Sequence, residues 1–239
     1  MDSVATVRIR AMLFYLVAAM FALFVLLPFL WMLSTSFKSD AALMVIPIQW
    51  IPRAPTFDAY AEIFEIFPFA LALRNSVYVA AMTVVITVVS CSMAAFAFAK
   101  LAFRGKEVLF AFVLATLMIP QQVTIIPLFL VMRSMGLINT FTGLLAPSVF
   151  NGFAIFLLRQ HMRTIPNDYL DAARIDGASL PQMYISVAMP LSVTSIATVS
   201  VLTLMQAWND YFWPLIVLTK ETMMTLNVAL SRLNGQYST

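Results

Sequence analysis

The chain is 239 residues long, 62% hydrophobic and 10% charged, with a formal charge of +3 and a mean hydropathy of +0.92. A soluble domain is about a quarter charged, and one this apolar would expose patches it could not keep dispersed. Composition therefore excludes an ordinary soluble fold and points to a lipid bilayer. The basic pI, near 9.2, gives no reason to invoke nucleic acid, because Lys and Arg in membrane proteins flank spans on the cytoplasmic side. Cys91 is the only cysteine and His161 the only histidine. That excludes an intrachain disulfide, a zinc cluster and a histidine-based nucleophilic triad within the chain. No Gly-x-x-x-x-Gly-Lys-Ser/Thr sequence occurs, so the chain has no P-loop with which to hold ATP.

A spanning helix needs about 20 mostly apolar residues, and five segments qualify. The first is about 11–34. Arg8 and Arg10 precede it and no small-residue cleavage site follows a short apolar core, so it reads as a retained span and not a signal peptide. Residues 35–74 carry Trp50, Pro47, Pro52, Pro55 and the half-polar run TFDAYAEIFEIFPFA. They read as a short extracytoplasmic cap along the interface with aromatic anchors. The second span is about 75–99. The third, about 108–132, contains Pro120 and Pro127, which membranes tolerate where neighbours satisfy the freed carbonyls. The fourth is about 140–158 and the fifth about 191–218. No internal repeat is visible, and 1–239 reads as a single all-α transmembrane domain.

Loop charges orient the bundle. With the N-terminus inside, Arg8, Arg10, Lys100, Arg104, Lys106, Arg159, Arg163 and Arg174 are cytoplasmic. Lys38, Arg53, Arg74, Arg133, Lys220 and Arg232 lie outside, on longer segments. This bias places 159–190 in the cytoplasm and the tail after Leu218 outside.

The cytoplasmic segment has its own grammar. Thr164-Ile165-Pro166 is expected to open a helix, with Thr as the cap and proline in the first turn. The helix would run to Asp176, with Gly177 as a left-handed stop. Ser179 and Gln182 form a capping box around Pro181 for a second helix. Ala172 and Ala173 take up little room and permit close approach of another surface. Asp176 is disfavoured by the helix dipole by roughly 0.3–1 kcal/mol, so it needs a bonding partner at the corner or on another chain. A solvated connector and a docking element are equally compatible with these residues.

The run DAARIDGA at 171–178, followed by Tyr184, Val187 and Met189-Pro190, resembles the E-A-A loop of binding-protein-dependent ABC importer permeases. Asp171 stands where that pattern has Glu, Met189 where it has Leu, and Thr194 where it has a later Pro. Ile119-Pro120-Gln121-Gln122, Gly136 to Thr140, Phe156 to Gln160, Trp208 to Tyr211 and Leu33 to Lys38 are similar to the carbohydrate-uptake branch. Within that branch the resemblance is to the smaller maltose-importer-type permease and its glycerol-3-phosphate cousins. The resemblance implies a type I importer bundle with six spans, of which the sixth is not found here, and a coupling helix between spans 4 and 5. It implies a multi-pass protein of the prokaryotic cytoplasmic membrane. The implied partners are a second homologous permease, two copies of a cytoplasmic ABC ATPase that consume ATP, and an extracytoplasmic solute-binding protein. No cofactor would be bound by the chain itself, and it would not be an enzyme.

On this resemblance Asp171 and Asp176 make polar contacts to the ATPase groove. Ala172, Ala173 and Ala178 pack closely, Gly177 makes the corner, and Pro190 leads out. Polar residues at membrane depth usually face a bundle interior or cavity. Gln122, Asn151, Gln206, Trp208 and Asn209 are therefore expected along a translocation path suited to a sugar. Interhelical hydrogen bonding is the commoner role and is the one expected of Gln121 and Asn151. Phe96, Phe98 and Phe110 read as lipid-facing or packing residues, and His161 as a loop residue. The competing classes are an ion-gradient-driven secondary transporter and a membrane enzyme. The first would carry intramembrane charges and inverted repeats, the second a titratable constellation at a span end. The sequence offers only Asp210, at the edge of a span.

Overall fold

The computed structural model describes residues 4–43, 45–66 and 68–237, and no strand occurs among them. Two units divide the chain, one ending at Pro68 and the other beginning at Phe69.

In the first unit, helix α1 (Val4–Ser36) is apolar on every face, and its side chains are exposed from Arg8 through Leu30. A helix with no preferred face suits lipid all round. Beyond it the chain folds back through two short helices, α2 (Asp40–Leu43) and α3 (Asp58–Ile66). Aromatic rings tie this return to the end of α1. Trp31 and Trp50 meet edge to face at 4.9 Å, and Phe37 packs on Phe57 at 5.4 Å and Tyr60 at 5.7 Å. The Lys38 ammonium sits 4.1 Å above the Trp31 ring, a cation–π contact.

The second unit is organised around α4 (Phe69–Lys100), a 32-residue helix that begins six residues before the 75–99 expected. Next come α5 (Lys106–Thr116) and α6 (Gln121–Ser134), which meet at 102°. The single third span expected over 108–132 is therefore two helices. Pro120 has no N–H to continue α5 and holds an extended backbone (φ −60°, ψ 134°) as it starts α6,. Pro127 lies inside α6 without breaking it.

The fourth segment is also interrupted. Helix α7 (Phe141–Leu145) passes into one 3₁₀ turn (Ala146–Val149), and α8 (Gly152–Thr164) restarts after an extended Phe150. Asn151 caps α8, its Oδ1 accepting from Ala154 N at 3.0 Å. Helix α8 runs six residues past the expected end at Leu158, and this makes Arg159 and His161 helical instead of loop residues. Gly152 is demanded by close approach. A Cβ there would lie 2.8 Å from Thr116 Oγ1 and 3.2 Å from Val113 O on α5.

The remaining elements are α9 (Asp168–Ile175), α10 (Leu180–Met183), a π-helical turn (Tyr184–Ala188), α11 (Met189–Leu191), α12 (Val193–Asn209), α13 (Phe212–Val217), a 3₁₀ turn (Glu221–Met223) and α14 (Leu226–Tyr237). The expected fifth span, 191–218, is thus broken twice. The stretch Leu180–Leu191 is bent 80° from α12, and Asp210 is extended between α12 and α13. Asp210 Oδ1 accepts from Trp213 N at 3.4 Å, as an acid capping α13 would.

Small residues let α4 and α8 pack closely: Cys91, Ser92 and Ala95 on α4 and Ala154 on α8 are all at most 1% exposed,. Ile155, Leu158, Met162, Phe96 and Phe110 complete this core. The two phenylalanines are therefore packing residues, not lipid-facing ones. A second cluster joins Val79, Leu144, Leu145, Trp213 and Val217, with Trp213 Nε1 donating to Leu144 O at 3.1 Å. The tail is tied down by Asn75, whose Nδ2 donates to Thr222 O at 3.0 Å and Met224 O at 3.1 Å.

Candidate coupling segment and membrane cavity

The polar segment opens later than expected. Thr164 is the last residue of α8 and its hydroxyl donates to His161 O at 2.8 Å. Ile165 precedes proline and is driven extended (φ −66°, ψ 124°),. Helix α9 therefore starts at Asp168, placing Asp168 and Asp171 in its first turn, where the dipole favours anions,. At the other end the backbone closes a Schellman motif: Ala178 N donates to Ala173 O at 2.9 Å and Gly177 N to Arg174 O at 3.1 Å,. Gly177 holds φ +82°, a left-handed conformation costly for residues with a Cβ. Gln182 Oε1 accepts from Ser179 N at 2.7 Å and from its hydroxyl at 2.8 Å, the reach-back arm of a capping box.

The side chains divide between two faces. Leu170 and Met183 are buried, and Ala173 and Ala178 pack against the α4–α8 core. Ala172, Asp176 and Pro190 are exposed. The Asp176 carboxylate makes no hydrogen bond or ion pair among the described residues, whereas that of Asp171 is already paired with Arg174 at 3.0 Å. Both members of that pair are more than half exposed, so it contributes little to stability. The two alanines nearest the corner are thus partly occupied by the chain's own core, leaving Ala172 and Asp176 the more available pair.

Three polar links join the segment to the bundle. Lys100 Nζ donates to Ile165 O, and to Asn167 Oδ1 at 2.9 Å. The hydroxyls of Tyr184 and Ser92 lie 2.7 Å apart. His161 Nε2 is 3.1 Å from Leu191 O.

Nearby, Arg159 is 3% exposed. Its Nη2 donates to both Glu107 oxygens at 2.8 and 2.9 Å, its Nε donates to Phe98 O at 3.2 Å, and its guanidinium lies 3.7 Å from the Phe110 ring centre. The planar fork of arginine suits such a node better than the ammonium of lysine would.

At membrane depth two adjoining cavities, of about 300 and 330 Å³, share Gln121, Asn151, Thr203 and Gln206 as lining. Asp210 and Trp213 line the smaller of the two. Of the expected path residues, Asn151 and Gln206 are on its wall; Gln122, Trp208 and Asn209 are not. Asn209 Nδ2 bonds Met205 O at 2.7 Å, and Trp208 O accepts from Asn227 Nδ2 at 2.8 Å. Gln121 makes no interhelical side-chain bond among the described residues, and Asn151 serves as a local cap. Gln121, expected to bond between helices, lines both cavities instead. The break after Pro120 turns the first residue of α6 into the cavity, and the Asp210 break does the same for Asp210 and Trp213.

Residues 86–238 match the family described as binding-protein-dependent transport system inner membrane component. The chain belongs to this family. As a member of it, the chain is 33% identical over 222 residues to an arabinooligosaccharides transport system permease protein of Halalkalibacterium halodurans, covering 92% of this chain and 80% of the relative. It is 36% identical over 214 residues to a trehalose transport system permease protein of Mycobacterium tuberculosis, covering 89% and 77%. A lactose transport system permease protein of Rhizobium radiobacter is 30% identical over 224 residues, covering 94% and 81%. Among solved structures, a chain of a bacterial ABC transporter involved in the import of the acidic polysaccharide alginate superposes with a TM-score of 0.86. Its sequence identity is 29%, and the match covers 96% of this chain and 81% of that one. The fold is thus the type I ABC importer permease fold, and the protein is a membrane transport permease of the sugar-importer kind.

Proposed function

We propose that this permease carries a sugar or sugar-like solute inward, in partnership with a second homologous permease. Two copies of a separate ATPase supply the energy, and an extracytoplasmic binding protein delivers the solute. The segment 165–191 is the ATPase-docking element, with Ala172 and Asp176 at the contact. The observation that carries this reading is a rigidly capped helix–glycine–helix corner presenting an unpaired exposed acid. An anion placed against the helix dipole without a partner among the described residues is explained by a base on another chain. The amide-lined cavity is the solute path: Gln121, Asn151 and Gln206 offer both donors and acceptors, the chemistry that hydroxyl-rich solutes require. Names of relatives that handle arabinooligosaccharides, trehalose and lactose support a carbohydrate; glycerol-3-phosphate is a further class for the same test. The loop-charge bias supports a cytoplasmic N-terminus.

Reconstituted vesicles test the assignment. With ATPase, sister permease and binding protein present, ATP should drive accumulation from a panel of oligosaccharides, disaccharides and polyol phosphates. Uptake that survives ATP depletion but collapses with the ion gradient would refute it. A cysteine introduced at Asp176, in a Cys91→Ser background, should react with an impermeant maleimide only from the cytoplasmic side. Labelling from outside would overturn the orientation.

A further inference from the structure

The coupling segment is joined covalently to α12, yet its best-defined attachments are to other helices. At its entrance Lys100, the last residue of α4, holds the backbone of Ile165 and the side chain of Asn167. In its exit turn the Tyr184 hydroxyl meets Ser92 of α4, and the Tyr184 ring lies 5.6 Å from that of Phe96. Beyond that, His161 of α8 meets Leu191 O. Bonds from an ammonium are the stronger kind, and a half-buried one such as Lys100 is partly withdrawn from competing water.

The covalent junction has the opposite character. The π-helical turn at Tyr184–Ala188 is a local departure from regular helix of the sort found at functional sites,. At Ser192 the backbone leaves helical values (φ −103°, ψ 10°) and the axis turns 80°. Among the described residues the buried Ser192 hydroxyl has no hydrogen-bond partner, so the side chain at the joint adds no polar closure like that of the other three attachments.

We propose that Lys100, reinforced by the Ser92–Tyr184 pair, is a positioning residue that makes 165–191 one rigid body with α4, leaving Ser192 as the flexing joint. A push on the segment is then delivered first to α4 and its close partner α8, and reaches α12 only through the bend. The inference rests on the docking reading above and adds the route by which movement leaves the docked segment.

The test replaces the tether with a removable one. In a Cys91→Ser background, Lys100→Cys and Asn167→Cys are joined by a short bis-thiosulfonate spacer cleavable with dithiothreitol, in the complete reconstituted importer. Solute transported per ATP should fall at least about fivefold when the spacer is cleaved, the lower end of ordinary coupling strengths. It should recover to at least half the parent value when the spacer is in place. Normal transport without the spacer, or transport blocked or less than half recovered with it, overturns the inference. Should the double-cysteine chain fail to assemble, Tyr184→Phe decides: a loss of about twofold or more per ATP, the worth of one hydrogen bond, supports the tether, and a smaller loss or none overturns it. Ala172→Arg serves as the control on docking. If it retains the ATPase, the docking reading falls and this inference falls with it; if it releases the ATPase, the tether result stands on its own.

Discussion

Gly177 permits the sharpest test of the coupling corner. It holds φ +82°, and an added Cβ would meet no atom within 4 Å. A substitution there is therefore a test of backbone strain with no steric clash mixed in. Placing an L-residue in the left-handed region costs about 1–2 kcal/mol. Replacing Gly by Ala also removes unfolded-state freedom, which offsets about 0.4–1 kcal/mol of that. The net for Gly177→Ala is about 1 kcal/mol, a fivefold shift away from the proper corner. Asn tolerates left-handed geometry and should lose less, whereas a β-branched Val should lose more. Coupling should then rank Gly, Asn, Ala, Val. ATPase retention on the purified permease and solute moved per ATP both report it, while detergent melting should fall by only about 2–4 °C for Ala in a chain of this size. A Gly177→Val permease that binds the ATPase and transports like the parent would refute the claim that this corner's shape transmits the stroke.

Other substitutions separate packing from path. Gly152→Val should drive α8 off α5, since even the first carbon meets Thr116 Oγ1 at 2.8 Å; a loss of about 1–3 kcal/mol is expected of overpacking and is read as a lowered melting temperature. Glu107→Ala strands the buried Arg159 guanidinium. Water can still reach the site because the Glu107 side chain is 73% exposed, so the cost should be about 2 kcal/mol, below the 3–5 of a fully enclosed pair, and Glu107→Asp should restore part of it in the same melting assay. Gln121→Leu with Gln206→Leu should leave assembly and ATPase binding intact, while uptake of a hydroxyl-rich solute weakens about tenfold through one or two lost hydrogen bonds. Unchanged half-saturation would place the path elsewhere.

Composition and hydropathy alone identified a helical membrane chain, because burying this much apolar surface without water leaves the backbone no choice but internal hydrogen bonding. The glycine corner and the Ser179–Gln182 cap were legible for a similar reason, being set by backbone chemistry within a few residues. Where helices break was not legible from hydropathy, which averages over windows and is blind to a single Pro120, Asn151 or Asp210. Those breaks turn Gln121, Asp210 and Trp213 into the cavity in place of Gln122, Asn209 and Trp208. The partners of Arg159, Lys100 and Tyr184 were likewise beyond reach. Arg159 and Glu107 are 52 positions apart, and Tyr184 and Ser92 are 92 apart. Only the packing of α8 against α4 and α5, and of the coupling segment against α4, brings such groups within bonding distance, and no local pattern encodes a contact made across that much chain.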